Sequence, residues 1–178
     1  MNKPQLIAIS AALLAPAILS ADKISLAVSG GVFFPVNSEI QNLFGKSILK
    51  VGVSPSGHAP GSNWKVAADI SAISAEKDGN KFFVAPVLAV LERSFGSTTD
   101  QYRPYVLFGG GIAYYDYAIT RSSTRFSNKT FGAAGLAEVG VNFDKVWRLS
   151  ASYTGAQKRD DFDFSGFTIE LHYTFARL

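Results

Sequence analysis

Cysteine is absent from the 178 residues. That excludes disulfides, a lipid anchor on cysteine and any thiolate metal site. Histidine occurs twice and methionine once. Charge is also sparse: Asp, Glu, Lys and Arg make up 17% of the chain, with a formal net charge of +3. No basic stripe of the kind that grips nucleic acid is present. Beyond residue 21 no apolar run approaches the ~18–20 residues that a membrane helix needs. What is abundant is aromatic side chains, at 13%, and glycine, with 16 residues. This is the makeup of many short strands in close approach.

The first residues read as a separate segment. Lys3 is a short basic region, Leu6 to Leu14 an apolar one, and the small residues of APAILSA follow. This is the pattern of a secretory signal peptide. The expected division is residues 1–21 as signal peptide and 22–178 as one domain, with a cut after Ala17 as the second choice. An exported chain without disulfides needs a substantial core, or a membrane, to fold in.

Within 22–178 the dominant signal is alternation with a period of two. Near the end of the chain Phe167, Ile169, Leu171, Tyr173 and Phe175 interleave with Thr168, Glu170, His172 and Thr174. Trp147, Leu149, Ala151 and Tyr153 interleave in the same way with Arg148, Ser150, Ser152 and Thr154. Alternate side chains of a strand point to opposite faces, so each strand has one apolar and one polar side. The same rule predicts strands over 24–34, 47–54, 64–75, 82–93, 103–117 and 131–143, making eight in all. Strand 82–93 is apolar on both sides, and its facing stays open. Asn37 or Ser38 is positioned to cap one helical turn closed by Gly45. Turns are expected at 55–63, 76–80, 94–102 and 144–145, and longer loops at 120–129 and 157–165.

Eight strands with one wholly apolar face must bury that face, and no amphipathic helix of useful length is available to cover it. Closing the sheet removes both edges and lets lipid cover the apolar side. The polar side would carry Lys50, Lys65, Asp69, Glu92, Glu138, Arg148, Glu170 and His172. About one charge per strand is too few for a water-facing surface and suits a narrow lumen in which charges pair. Aromatics near strand ends, among them Phe33, Phe34, Trp64, Phe82, Tyr105, Tyr115, Tyr117, Trp147 and Phe175, suggest the girdles of two membrane interfaces. The fold class expected is therefore all-β: an eight-stranded antiparallel up-and-down transmembrane β-barrel.

The segments GGVFFPVNSEIQNLFGKS, RPYVLFGGGIAYYDY and TIELHYTF resemble the small outer-membrane β-barrel domain family. That group includes opacity-like, OmpA-like and OmpW-like barrels. The resemblance implies a Gram-negative-type envelope, location in the cell outer membrane, contact with its lipid and lipopolysaccharide, delivery by the barrel assembly machinery, and a monomer. Two features depart from the family: Ala176-Arg177-Leu178 follow the last aromatic, and the turns at 55–62 and 94–101 are long.

Gly109-Gly110-Gly111 lacks the Lys-Ser/Thr and helix start of a phosphate loop, and belongs to a strand. Asp160, Asp161 and Asp163 lack EF-hand spacing and form a charged loop tip. Arg121, Arg125 and Lys129 beside Tyr117 and Phe126 are candidates for contact with lipopolysaccharide phosphates. The sequence supports a non-enzymatic structural or surface-interaction protein whose lumen is closed by the eight polar-face residues, with no catalytic, cofactor or metal residues assigned. Passage or binding of small hydrophobic molecules is the alternative that an OmpW-like resemblance implies. Lipid A-modifying barrels supply a third, since His172 has Glu170 and Thr174 on its own face; His58 falls in a predicted turn.

Overall fold

The computed structural model describes residues 24–58, 64–97, 99–144 and 146–178. The expected signal peptide and its cleavage site lie outside the described residues. Eight strands form a closed antiparallel barrel in chain order. They are β1 (Ile24–Pro35), β2 (Ile48–His58), β3 (Trp64–Lys77), β4 (Asn80–Ser94), β5 (Tyr102–Arg121), β6 (Thr124–Phe143), β7 (Trp147–Ala156) and β8 (Gly166–Arg177). Val32 of β1 faces Leu49 of β2 on one side and Ile169 of β8 on the other, which closes the ring. At its foot Ile24 and Leu178 exchange backbone hydrogen bonds of 3.0 and 2.8 Å, so both described chain ends share one rim. The opposite rim, called distal below, carries α1 (Ser38–Phe44), two tight turns and the loop 157–165. Among the described residues no helix is long and apolar enough to cross a membrane, which bears on helices alone.

Alternation places the side chains as the physics of a strand requires. Leu49, Val51, Val53, Ile70, Phe108, Val139, Leu149, Ile169 and Leu171 are exposed on the outside. The unsettled strand is resolved: Phe82, Val84, Leu88, Val90 and Glu92 of β4 are buried inside, while Phe83 and Leu91 face out. α1 begins at Asn37, whose side chain accepts hydrogen bonds from the amides of Glu39 and Ile40 at 2.9 and 3.0 Å. It ends at Gly45 with φ +104°, a conformation that glycine adopts without penalty.

Three sequence expectations are corrected. β2 runs four residues beyond 54, with Pro55 facing Leu26 in the β1 register. The β2–β3 ladder skips Pro55, because proline has no N–H to give it. Residues 120–129 are not a loop. β5 and β6 continue to a two-residue turn at Ser122 and Ser123, with φ of 47° and 70°, and make a hairpin of 20 residues per strand. Nor are all the end-of-strand aromatics girdle residues. Phe33, Phe82, Tyr105, Tyr115 and Tyr117 point inward and are buried, whereas Phe34, Trp147, Phe167 and Phe175 are exposed on the exterior.

Inward glycines leave room for those rings. A Cβ on Gly140 would stand 2.6 Å from the Tyr105 hydroxyl and 2.7 Å from its ring. In the glycine triplet, Cβ atoms on Gly109 and Gly111 would come within 2.0 and 2.3 Å of the Ala89 and Val87 carbonyls. These two glycines let the β5 and β4 backbones coil past one another.

Candidate functional site

Eight strands leave an interior only wide enough for side chains, and here it is filled in layers. The distal layer is apolar. Phe162 and Phe164, carried inward by the loop 157–165, pack against rings from the strands. Phe164 lies 5.5 Å from Phe82, 5.5 Å from Tyr117 and 5.7 Å from Tyr115, centre to centre. Ile40 of α1 closes the same cluster and is fully buried. The loop is tied down by Tyr117, whose hydroxyl donates to Asp160 at 2.5 Å. Asp163 accepts from the Ser165 amide at 2.9 Å. Gln157 and Arg159 bond Ala133 and Phe131 on the β6 edge that rises above β7. An otherwise open strand edge is covered in this way.

Below this layer lie the eight polar residues expected from the sequence, and all eight face the interior. Lys50, Asp69, Glu92, Glu138, Glu170 and His172 are buried, and Lys65 and Arg148 are half-buried. They divide into clusters rather than one continuous network. Glu92 accepts from Lys65 at 2.9 Å, Arg148 at 2.7 Å and Ser94 at 3.1 Å. Glu170 accepts from Lys50 at 2.7 Å and Ser29 at 3.0 Å. Asp69 accepts from Ser71 at 3.1 Å, and Glu138 from the Tyr105 hydroxyl at 2.6 Å. The Arg148 guanidinium stacks 4.4 Å over the Tyr105 ring, a cation–π contact that links two clusters.

Sequence reasoning read Tyr105 as an interface aromatic and put Ser150 on the polar face without giving it a role. β5 is apolar on both faces, so parity gave Tyr105 no direction. The one available signal was Gly140, its cross-strand partner, which provides the bare backbone that its ring covers. His172 meets the Ser150 hydroxyl at 3.0 Å. A serine–histidine pair beside carboxylates is half of an acyl-transfer constellation. Yet the cavity there measures about 50 Å³, room for water and not for an acyl chain. His58 ends β2, on the rim that carries the chain ends. Toward that rim the interior widens into an open vestibule of about 810 Å³, lined by Lys65, Arg103, Arg148, Asp100 and Asp144 among others.

Of the three rim cations, Arg121 pairs with Glu39 of the β1–β2 connection at 3.0 Å and Lys129 with Asp116 at 3.0 Å. Arg125 is exposed on the hairpin and has no carboxylate partner among the described residues.

A closed eight-stranded barrel, apolar outside and charged within, is the inverse of a water-soluble barrel. So large an apolar exterior requires acyl chains around it, and the class this defines is the small outer-membrane β-barrel. Solved structures carry the same fold. The N-terminal β-barrel domain of Pseudomonas aeruginosa OprF matches with a TM-score of 0.51 and 14% identity, over 89% of this chain and 98% of that one. Neisserial surface protein A matches with 0.51 and 11%, over 86% and 96%. Ail, the attachment invasion locus protein of Yersinia pestis, matches with 0.53 and 15%, over 89% and 99%. At these identities the likeness is one of fold. No family model and no curated protein matches the sequence.

Proposed function

We propose that the protein is a non-enzymatic, monomeric outer-membrane barrel with a structural or surface-interaction role, and that its lumen does not conduct. The observation that carries this is the distal layer, where six rings and Ile40 fill the cross-section. The charged clusters beneath it close the middle of the lumen by pairing. Passage of small hydrophobic molecules would require the distal layer to part. Lipid A chemistry would require an acyl chain in a cavity with room for water alone. With the distal rim outward, the β5–β6 hairpin stands as the surface-facing element and Arg125 is its leading contact for lipopolysaccharide phosphate; Arg121 and Lys129 have carboxylates that a phosphate would have to displace.

Single-channel recording in planar bilayers tests the closed lumen. The expected trace has no unitary steps; well-resolved steps in the wild type would overturn the proposal. Boiled and unboiled samples run side by side report the folded barrel by its mobility shift. For the rim, Arg125→Ala should weaken binding to lipopolysaccharide micelles more than Lys129→Ala does, and equal losses would remove Arg125 from the contact.

A further inference from the structure

Charges inside the barrel do not balance where they sit. Glu92 has two cations, Lys65 and Arg148, against it. Around Lys50 one ammonium serves three carboxylates, Glu170 at 2.7 Å with Asp69 and Glu138 near it. Counted over the interior, four carboxylates stand against Lys50, Lys65 and Arg148, an excess of one negative charge. Buried charge of one sign is costly unless something answers it.

Carboxylate oxygens of Glu138 and Glu170 and a ring nitrogen of His172 lie within 4.8 Å of one another, all three residues buried. The chain explains how residues of β6 and β8 meet across β7. Between them the inner face of β7 carries Ser152 opposite Glu138 and Ser150 opposite Glu170, side chains too short to separate them, with Arg148 one step further along opposite His172.

A second observation falls on the same spot. The hydroxyls of Ser152 and Thr168 are buried with no hydrogen-bond partner, their residues 5% and 1% exposed. The register sets Glu138, Ser152 and Thr168 side by side in one row of the inner face. Thr168 is two residues from Glu170 on that face. Orphaned buried hydroxyls are rare in folded proteins and call for a missing polar group.

We propose that Glu138, Glu170 and His172 form a binding site for one divalent first-row metal ion, with Zn²⁺ the best fit. Two carboxylates and an imidazole suit zinc, whereas calcium and magnesium favour oxygen alone. Ser150 engages Nε2 of His172, which leaves Nδ1 for the ion and fixes the ring as an outer-shell partner does. Donor atoms around tetrahedral zinc lie ~3.4 Å apart, a closure within reach of two glutamate side chains. Glu170 gives Oε2 to Lys50, while Oε1, which accepts from Ser29, keeps a second lone pair for the ion, and the Ser152 and Thr168 hydroxyls hold coordinated water. The ion reaches the site from the vestibule, since Arg148, Asn142 and Thr174 line both that space and the small cavity beside Glu138 and His172.

The test is calorimetric titration of ZnCl₂ into tag-free, chelator-stripped protein refolded in detergent. One equivalent should bind. Glu138→Gln and His172→Asn should each weaken binding at least tenfold. His58→Ala, which removes the only other histidine, should leave binding unchanged. Lys50→Met should strengthen it by removing the competing ammonium. No uptake by the wild type, uptake undiminished in both ligand variants, or uptake lost with His58 would each overturn the site. Should the ligand variants fail the mobility-shift criterion for folding, the Co²⁺ spectrum of the wild type decides: intense visible bands of a four- or five-coordinate ion support the site, and the weak spectrum of hydrated Co²⁺ overturns it.

Discussion

At the distal rim six aromatic rings and Ile40 fill the cross-section of the lumen; at the other, the same eight strands surround an open vestibule of about 810 Å³. Strand number sets the diameter of a barrel and is the same at both ends. What differs is the chemistry of the filling. The distal end recruits material from outside the strands, α1 and the loop 157–165, and buries rings against it. The vestibule is lined by charged and short polar side chains that water can solvate. On the reading proposed above, the connections folded into the mouth of such a barrel, and not its wall alone, decide whether it conducts.

Substitutions can break this contrast, most severely where charge is buried. Glu92→Ala would leave Lys65 and Arg148 without their shared carboxylate and should cost about 3–5 kcal/mol, read as a lower urea midpoint for unfolding from lipid vesicles. Phe164→Ala removes the ring that touches Phe82, Tyr115 and Tyr117 and should cost about 3 kcal/mol. Combined with Phe162→Ala it should produce conductance steps absent from the wild type, and silence from the double variant would move the seal to the charged layer. Leu171→Arg, on the exterior, should cost roughly 2–4 kcal/mol in lipid while leaving conductance at zero. Asn37→Ala removes the α1 cap and should cost about 1 kcal/mol, and it should loosen the distal end alone, seen as faster amide exchange at Ile40. Arg121→Ala breaks an exposed ion pair with Glu39 and should change stability by less than about 1 kcal/mol.

The wall was legible in the sequence because a period of two is a local signal: Phe167 to Phe175, or Trp147 to Thr154, declare their faces without a partner. Every polar-face residue read this way points inward. The filling was not legible, because it depends on pairings between distant segments. Nothing near Phe164 says that it will meet Tyr115 and Phe82, and a tyrosine near a strand end looks the same whether it faces lipid or lumen. β4 and β5 offered no parity, being apolar on both sides. The β5–β6 hairpin was hidden for another reason. Ser122-Ser123 lacks the glycine or asparagine that marks a two-residue turn, whereas Asp78-Gly79, with φ of 50° and 75°, was readable at once.

That serine pair has a practical consequence. Two non-glycine residues held at positive φ sit at the tip of the longest hairpin, both exposed to solvent. An epitope spliced between them would disturb neither the ring closure nor the packed interior. On intact cells, antibody or protease access to that splice would show directly which face of the envelope the tip occupies.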